Sequence, residues 1–151
     1  MRVLVECFAD KALVDIMNIS NMIVEHAHGK ENICRKLSKE TGLIGLMDED
    51  PEANQHSYLQ QLFQFSEPII THGLIVLEDL HRKNRLILFR PRLEEWILRI
   101  AHQTRISPSR YGLPTNPDAL HQKNIRYLNN RKKFLQALFK ESIPLRFFKV
   151  D

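Results

Sequence analysis

Cysteine is scarce in this chain, and neither of its two cysteines belongs to a metal-binding motif. Cys7 and Cys34 stand alone, with no Cys-x-x-Cys pair and no cysteine–histidine cluster at zinc spacing. This pattern argues against a structural zinc site. No catalytic base neighbours either thiol in sequence, so we predict buried free cysteines rather than nucleophiles.

Long apolar runs are also missing, and so are repeats and low-complexity segments. No stretch approaches the roughly 20 apolar residues that a membrane-spanning helix requires. A carboxylate follows the first short apolar run at Glu6, which is too early for a secretory signal. We therefore expect a cytoplasmic protein that does not interact with a membrane.

The composition that remains is that of an ordinary folded domain. Hydrophobic residues make up 43% and charged residues 26% of the 151 residues, enough for one domain with a real core. The formal net charge of +4 favours a polyanionic partner only weakly. Acidic residues gather at residues 48–52, and basic residues gather at 82–85, 105–110 and 131–133.

The first third of the chain alternates short apolar runs with helical patterns. We predict strands at residues 3–5, 22–24 and 43–47, with helices from residue 9 and at residues 30–40 between them. A β-α-β-α-β order with short connections indicates a parallel sheet with right-handed crossovers. Ligands of such sheets bind beyond the carboxyl ends of the strands.

The second half is less regular but still predicts several elements. They are a helix at 58–65, a hairpin of strands at 73–80 and 85–89, a helix at 92–102, a loop at 107–123, a helix at 129–141 and an edge strand at 143–148. The predicted fold is one α/β domain over residues 1–151, a three-layer sandwich with a mainly parallel central sheet, an added hairpin and a C-terminal helix. Its core motifs occupy residues 1–52, and residues 53–151 form a variable second half.

Three carboxylates follow strands of the predicted parallel sheet. Glu6 ends the first strand, and Asp48 and Asp50 follow the third. If the third strand continues to Asp50, alternation points both aspartates the same way. Two unit charges 4 Å apart repel by roughly 4 kcal/mol at an effective dielectric of 20, and a divalent cation removes that cost. A magnesium site is therefore one interpretation, and a solvated Asp-Glu-Asp-Pro turn is the other.

The order of these motifs resembles that of a TOPRIM domain. The segments concerned are Leu4–Asp10, Gly29–Ile33 and Ile44–Asp50. TOPRIM domains occur in topoisomerases, bacterial primases and OLD-family nucleases. In that family a glutamate after the first strand and an Asp-x-Asp after the third bind magnesium. The resemblance implies that Glu6, Asp48 and Asp50 are metal ligands and catalytic residues, with magnesium or manganese as the cofactor.

A second acidic pair, Glu94 and Glu95, begins the helix predicted at 92–102. The strand, proline, acidic pair and tryptophan of residues 86–96 are similar to a segment of small TOPRIM-like proteins, some of them linked to phage defence. The resemblance implies that one of these glutamates contributes to a second metal. The alternative is that they only stabilise the helix N-terminus through its dipole.

Lys30 is the candidate phosphate-binding residue. Gly29 and Lys30 lie at a strand-to-helix junction, where backbone N–H groups and an ammonium can meet a phosphate. A solitary Gly-Lys is no P-loop, so an ordinary surface lysine is the alternative. His26 and His28 lie near the same junction, where alternation would place them on one side; ordinary polar roles are expected for both.

Two classes of function remain open from the sequence. The first is magnesium-dependent phosphoryl transfer on nucleic acid, in particular a nuclease acting in phage defence or in DNA or RNA processing. The second is a non-catalytic module that binds a metal, a nucleotide or a partner protein, which Cys7 favours because the family usually has glycine there. A protein partner encoded nearby and a homodimer are both left open.

Overall fold

The structure is a computed structural model that describes residues 2–6, 23–121 and 128–141. The chain divides into two compact units, residues 1–93 and residues 94–151. The helix predicted from residue 9 and the edge strand predicted at 143–148 lie outside the described residues. The single-domain interpretation remains a prediction.

The described residues form six strands, five α-helices and one 3-10 helix. The strands are β1 (Arg2–Val5), β2 (Ile23–His26), β3 (Leu43–Asp48), β4 (Ile69–Thr71), β5 (Leu74–Asp79) and β6 (Asn84–Phe89). The helices are α1 (Lys30–Lys39), α2 (Ser57–Phe65), α3 (Leu93–Thr104), α4 (Pro117–His121) and α5 (Leu128–Glu141), with a 3-10 helix at Pro108–Tyr111. No helix of the described ranges is long and apolar enough to cross a membrane.

The first unit contains a six-stranded, mostly parallel sheet in the order β2-β1-β3-β6-β5-β4. Strand β1 pairs in parallel with both β2 and β3, and β3 pairs in parallel with β6. The predicted hairpin is confirmed, because β5 and β6 are antiparallel. The α/β class and the mainly parallel sheet are therefore confirmed, and the carboxyl ends of β1, β2, β3 and β6 share one edge.

Both faces of the central strands are buried, as their continuous apolar runs predict. On one face, helices α1 and α2 pack against the sheet through one apolar cluster. Its strand residues are Leu4, Leu43, Met47, Ile75, Leu77, Leu86 and Leu88, and its helix residues include Ile33, Leu37, Leu59 and Leu62. Residues that alternate with these, such as Val5, Leu46 and Phe89, are buried as well.

Some sequence predictions of secondary structure need correction. Strand β2 extends through Glu25 and His26, because both residues pair with β1, at Leu4 and Val5. Arg2 of β1 and Lys36 of α1 also form ion pairs with the Glu25 carboxylate. Strand β4 was not predicted, since three residues are too few for an alternating pattern. The predicted loop at 107–123 contains the 3-10 helix and α4; the Asn116 side chain accepts hydrogen bonds from the backbone N–H groups of Asp118 and Ala119.

The second unit is helical over its described residues. Helix α5 packs against the 3-10 helix, and the rings of Tyr111 and Phe134 lie 5.6 Å apart. Trp96 and Ile100 of α3 and Leu135 and Leu138 of α5 are also buried, so each of these helices has an apolar face. A left-handed glycine, Gly112 at φ 68°, ends the 3-10 helix.

Candidate metal centre

Glu6 lies directly after β1, at the edge where the parallel strands end. Its Oε2 accepts a hydrogen bond from the backbone N–H of Asp48, with 3.1 Å between the two atoms. The contact is possible because β1 and β3 are neighbours in register, with Val5 paired to Leu46. The structure therefore brings the Glu6 carboxylate to the last residue of β3.

Asp48 is the last residue of β3, and its carboxylate has a structural role of its own. The Oδ1 atom accepts a hydrogen bond of 2.8 Å from the backbone N–H of Leu93, the first residue of α3. A negative charge is stabilised at a helix N-terminus by the unpaired N–H groups and the helix dipole. This contact fixes the position of the Asp48 carboxylate at the edge of the sheet.

Asp50 is positioned differently from the sequence expectation. Strand β3 ends at Asp48, and Asp50 adopts a left-handed backbone conformation with φ 42°. The strand alternation that would point Asp48 and Asp50 the same way therefore does not apply. The Asp50 Oδ2 atom instead lies 3.8 Å from the Nζ atom of Lys30.

Lys30 lies at the same edge of the sheet. It is the first residue of α1 and follows Gly29, whose φ of 121° is rarely accessible to other residues. The ammonium donates a hydrogen bond of 3.0 Å to the backbone carbonyl of Glu49 and retains 20% exposure. Lys30 and the acidic segment predicted from the sequence are therefore brought together.

The loop after β3 is held by residues that sequence reasoning missed. The amide nitrogen of Gln55 donates to the backbone carbonyls of Asp50 and Ala53, each at 3.1 Å. The Glu49 carboxylate pairs with the guanidinium of Arg90 at 3.2 Å. A glutamine and an arginine in polar loops carry no sequence pattern that could have identified them.

The two histidines of the β2 end lie close together. The strand alternation on which the prediction rested does not apply, because β2 ends at His26 and His28 is left-handed, with φ 59°. The ring centroids of His26 and His28 are 4.1 Å apart. Nε2 of His26 lies 3.1 Å from the backbone carbonyl oxygen of Glu6. His26 therefore contacts the backbone of the residue whose carboxylate reaches Asp48.

Glu94 and Glu95 lie in the first turn of α3, as predicted, and within the second unit. The side chain of Glu94 is buried, and its Oε1 lies 3.0 Å from Nδ1 of His121. Oε2 of Glu94 has no hydrogen-bond partner among the described residues. Sequence reasoning missed His121, which lay in a segment predicted to be a loop. The second-metal role of these glutamates stays a prediction.

Cys34 behaves as the sequence predicts. It is a buried free thiol on the inner face of α1. Burial raises the pKa of the Cys34 thiol to about 11, so the thiol stays protonated at neutral pH and is a poor nucleophile. Cys7 lies outside the described residues.

The carboxylates at this edge are ligands that suit a hard cation, but the structure brings fewer of them together than the sequence predicted. Magnesium is commonly held by one or two carboxylates together with water and phosphate oxygens. Glu6 and Asp48 both lie at this edge, and the Glu6 carboxylate contacts the backbone N–H of Asp48. Over the described ranges, no group of three or more histidine, cysteine, aspartate or glutamate side chains could hold a metal ion. The three-carboxylate site of Glu6, Asp48 and Asp50 therefore stays a prediction.

Neither protein-family models, nor curated proteins, nor solved structures match this chain.

Proposed function

We propose that this chain is a TOPRIM-like, magnesium-dependent enzyme that hydrolyses phosphodiester bonds in nucleic acid. The observation that carries the proposal is the contact of the Glu6 carboxylate with the Asp48 backbone N–H, at 3.1 Å. It joins the acidic ends of two adjacent parallel strands, where ligands of α/β sheets bind. A three-layer sandwich and a cytoplasmic location are part of the same proposal.

Glu6 and Asp48 would hold the metal, and Asp50 would join them if its loop moved away from Lys30. When bound, magnesium supplies stabilisation of developing charge on phosphate oxygens and a water of lowered pKa. Lys30 would contact a non-bridging phosphate oxygen, since its ammonium already lies 3.8 Å from the Asp50 carboxylate at this edge. The contact between Asp48 and the Leu93 N–H would keep the carboxylate in place during turnover.

We favour nucleic acid as the substrate because the chain is basic overall and has cations beside its acidic edge. These cations would offset the repulsion between the carboxylates and the phosphates. The chain has a formal net charge of +4, and Lys30 and Arg90 flank the carboxylates. Affinity for a polyanion should then fall as salt is raised.

The test is cleavage of plasmid, single-stranded DNA and RNA by the purified protein, with magnesium, manganese or chelator. Asp48→Asn and Glu6→Gln are suitable variants, because each retains a side-chain oxygen that can accept the backbone N–H contact. We expect each variant to lower the cleavage rate by about 100-fold or more. Glu67→Gln, a charge loss at an exposed position, is the matched control and should cleave like the wild type.

Cleavage that survives both Asp48→Asn and Glu6→Gln would contradict the assignment of the activity to this site. The melting temperature of each variant should be measured in parallel. A variant that is inactive and also unfolded would be replaced by Lys30→Gln, which leaves both backbone contacts in place.

A non-catalytic metal- or nucleotide-binding module is the second candidate. It is favoured by one observation: Glu6 and Asp48 already accept backbone N–H groups, as structural carboxylates do. Such a module, alone or with a partner protein, would bind magnesium without cleaving any substrate. Magnesium would then raise the melting temperature of the wild type, but not of Asp48→Asn, and no nuclease activity would appear.

A further inference from the structure

The second unit contains a cleft that the proposed metal centre does not use. Its volume is about 630 Å³, which lies in the range of small-molecule sites. Ala101, Ile106 and Pro108 supply an apolar floor, and Leu98 extends it. The described residues that line the cleft all belong to α3 and the segment that follows it.

Arg105 stands on the rim of this cleft in an unusual backbone conformation. Its φ is 59°, directly after the last residue of α3. The backbone N–H of Arg105 donates to the carbonyl of His102, and that of Ile106 donates to the carbonyl of Ala101. This pair of hydrogen bonds is the Schellman arrangement, in which the left-handed position is usually glycine.

Arginine is unusual at this position, because a left-handed backbone conformation is unfavourable for a residue with a side chain. The same unit places glycine at the equivalent left-handed position after its 3-10 helix, at Gly112. A residue other than glycine held in the left-handed region is strained, and such strain is often found where a side chain has a role. Arg105 is exposed and is one of the residues that line the cleft.

The other polar groups of the rim suit the same kind of ligand. His102, Ser107 and Thr115 line the cleft together with Arg105. The Ser107 hydroxyl is 2.7 Å from that of Ser109, so it can take either role in a hydrogen bond. Among the described residues that line the cleft, none is acidic. A guanidinium, an imidazole and two hydroxyls match the several acceptor oxygens of a phosphate better than the two of a carboxylate.

We propose that this cleft binds a nucleoside monophosphate or a close mimic, an organic phosphate with a flat, weakly polar body. Arg105 pairs with the phosphate, assisted by His102 and the rim hydroxyls. The base or an equivalent ring lies on the apolar floor of Ala101, Ile106 and Pro108. The cleft belongs to the second unit, and the proposal does not depend on the metal centre.

Calorimetric titration of the full chain with AMP, adenosine and inorganic phosphate tests this proposal. We expect AMP to bind more tightly than either fragment, because only AMP engages both the rim and the floor. Arg105→Gly removes the guanidinium while suiting the left-handed backbone, so the helix end should stay intact. The variant should weaken AMP binding by about tenfold or more.

Lys83→Gly is the matched control, because Lys83 is also an exposed left-handed cation, at φ 56°, and lies in the turn between β5 and β6. It should bind AMP like the wild type, and Asp48→Asn should do so as well. The proposal is overturned if AMP does not bind, if adenosine binds as tightly as AMP, or if Arg105→Gly leaves the affinity unchanged. Loss of AMP binding caused by the single substitution Asp48→Asn would also overturn the proposal, since AMP would then bind at the metal centre.

Discussion

Asp79, the last residue of β5, is a buried carboxylate whose charge is stabilised by its neighbours. Its Oδ2 accepts hydrogen bonds from the Tyr58 hydroxyl at 2.8 Å and from the Arg82 guanidinium at 3.2 Å. Oδ1 accepts the backbone N–H of Arg82. Burial alone would raise the pKa of Asp79, but these hydrogen bonds outweigh it, and the net pKa is lowered from 3.8.

This shift predicts how stability depends on pH. Because the pKa of Asp79 is lower in the folded state, its charge stabilises the fold above pH 3.8. That contribution is lost as the pH falls through the folded pKa. Asp79→Asn should lower the free energy of unfolding by about 2 kcal/mol at pH 7, since an amide N–H₂ then faces the donors Tyr58 and Arg82.

Urea denaturation at pH 7, 5 and 3 measures this effect. The difference between the wild type and Asp79→Asn should shrink as the pH falls below 3.8, because the carboxyl with the higher pKa, that of the unfolded chain, takes up its proton first. Glu67→Gln, at an exposed position, should change stability by less than about 0.5 kcal/mol at every pH. A difference for Asp79→Asn that is constant from pH 7 to pH 3 would contradict the account.

Single residues of the candidate site were predictable to different extents. Glu6, Asp48 and Lys30 could be placed at one edge because each adjoins the end of a strand or the start of a helix with a clear pattern. The left-handed conformation of Asp50 and the bonds of Gln55 depend on the path of a loop. Loop paths are determined by side-chain hydrogen bonds that no periodicity encodes.

Strand β3 and helix α1 pack closely because glycine occupies position 45. A Cβ atom built there would lie 2.9 Å from Leu86 Cδ1 and 3.0 Å from Ile33 Cγ2. Both neighbours are fully buried side chains in a close-packed core. The short distance between α1 and the sheet therefore depends on the absence of a side chain at position 45.

Gly45→Ala should destabilise the protein by about 1–3 kcal/mol, because the added methyl overpacks the contact between the two elements. Leu86→Ala removes the closest obstructing atom, so Gly45→Ala should cost less in a Leu86→Ala background. Urea denaturation of the wild type, both single variants and the double variant forms the required cycle. Equal costs of Gly45→Ala in the two backgrounds would show that the packing contact is not the cause.

Most helices and strands were predictable because their apolar residues repeat at the period of the element. Helices α1, α2, α3 and α5 and the hairpin of β5 and β6 were found this way. The start of β6 was missed, since Asn84 reads as a turn residue. In the fold its buried amide instead donates to the carbonyls of Leu37 and Glu40 and accepts the N–H of Leu43, which a local pattern cannot predict.

For the molecule as a whole, the sequence predicted the α/β class and the parallel core but not the division into two compact units. Parallel pairing follows from the β-α-β-α-β order, which is local in sequence. The second unit depends on contacts between segments far apart in the chain, such as that between His121 and Glu94, which are 27 residues apart.

The central claim is that Glu6 and Asp48 bind a divalent cation at the carboxyl edge of the sheet. The most direct test is a crystal structure of the full chain grown with manganese, with the metal located by its anomalous scattering. We predict a manganese ion within about 2.5 Å of a carboxylate oxygen of both residues. Manganese bound only elsewhere, or two carboxylates held more than about 8 Å apart with no ion between them, would contradict the claim.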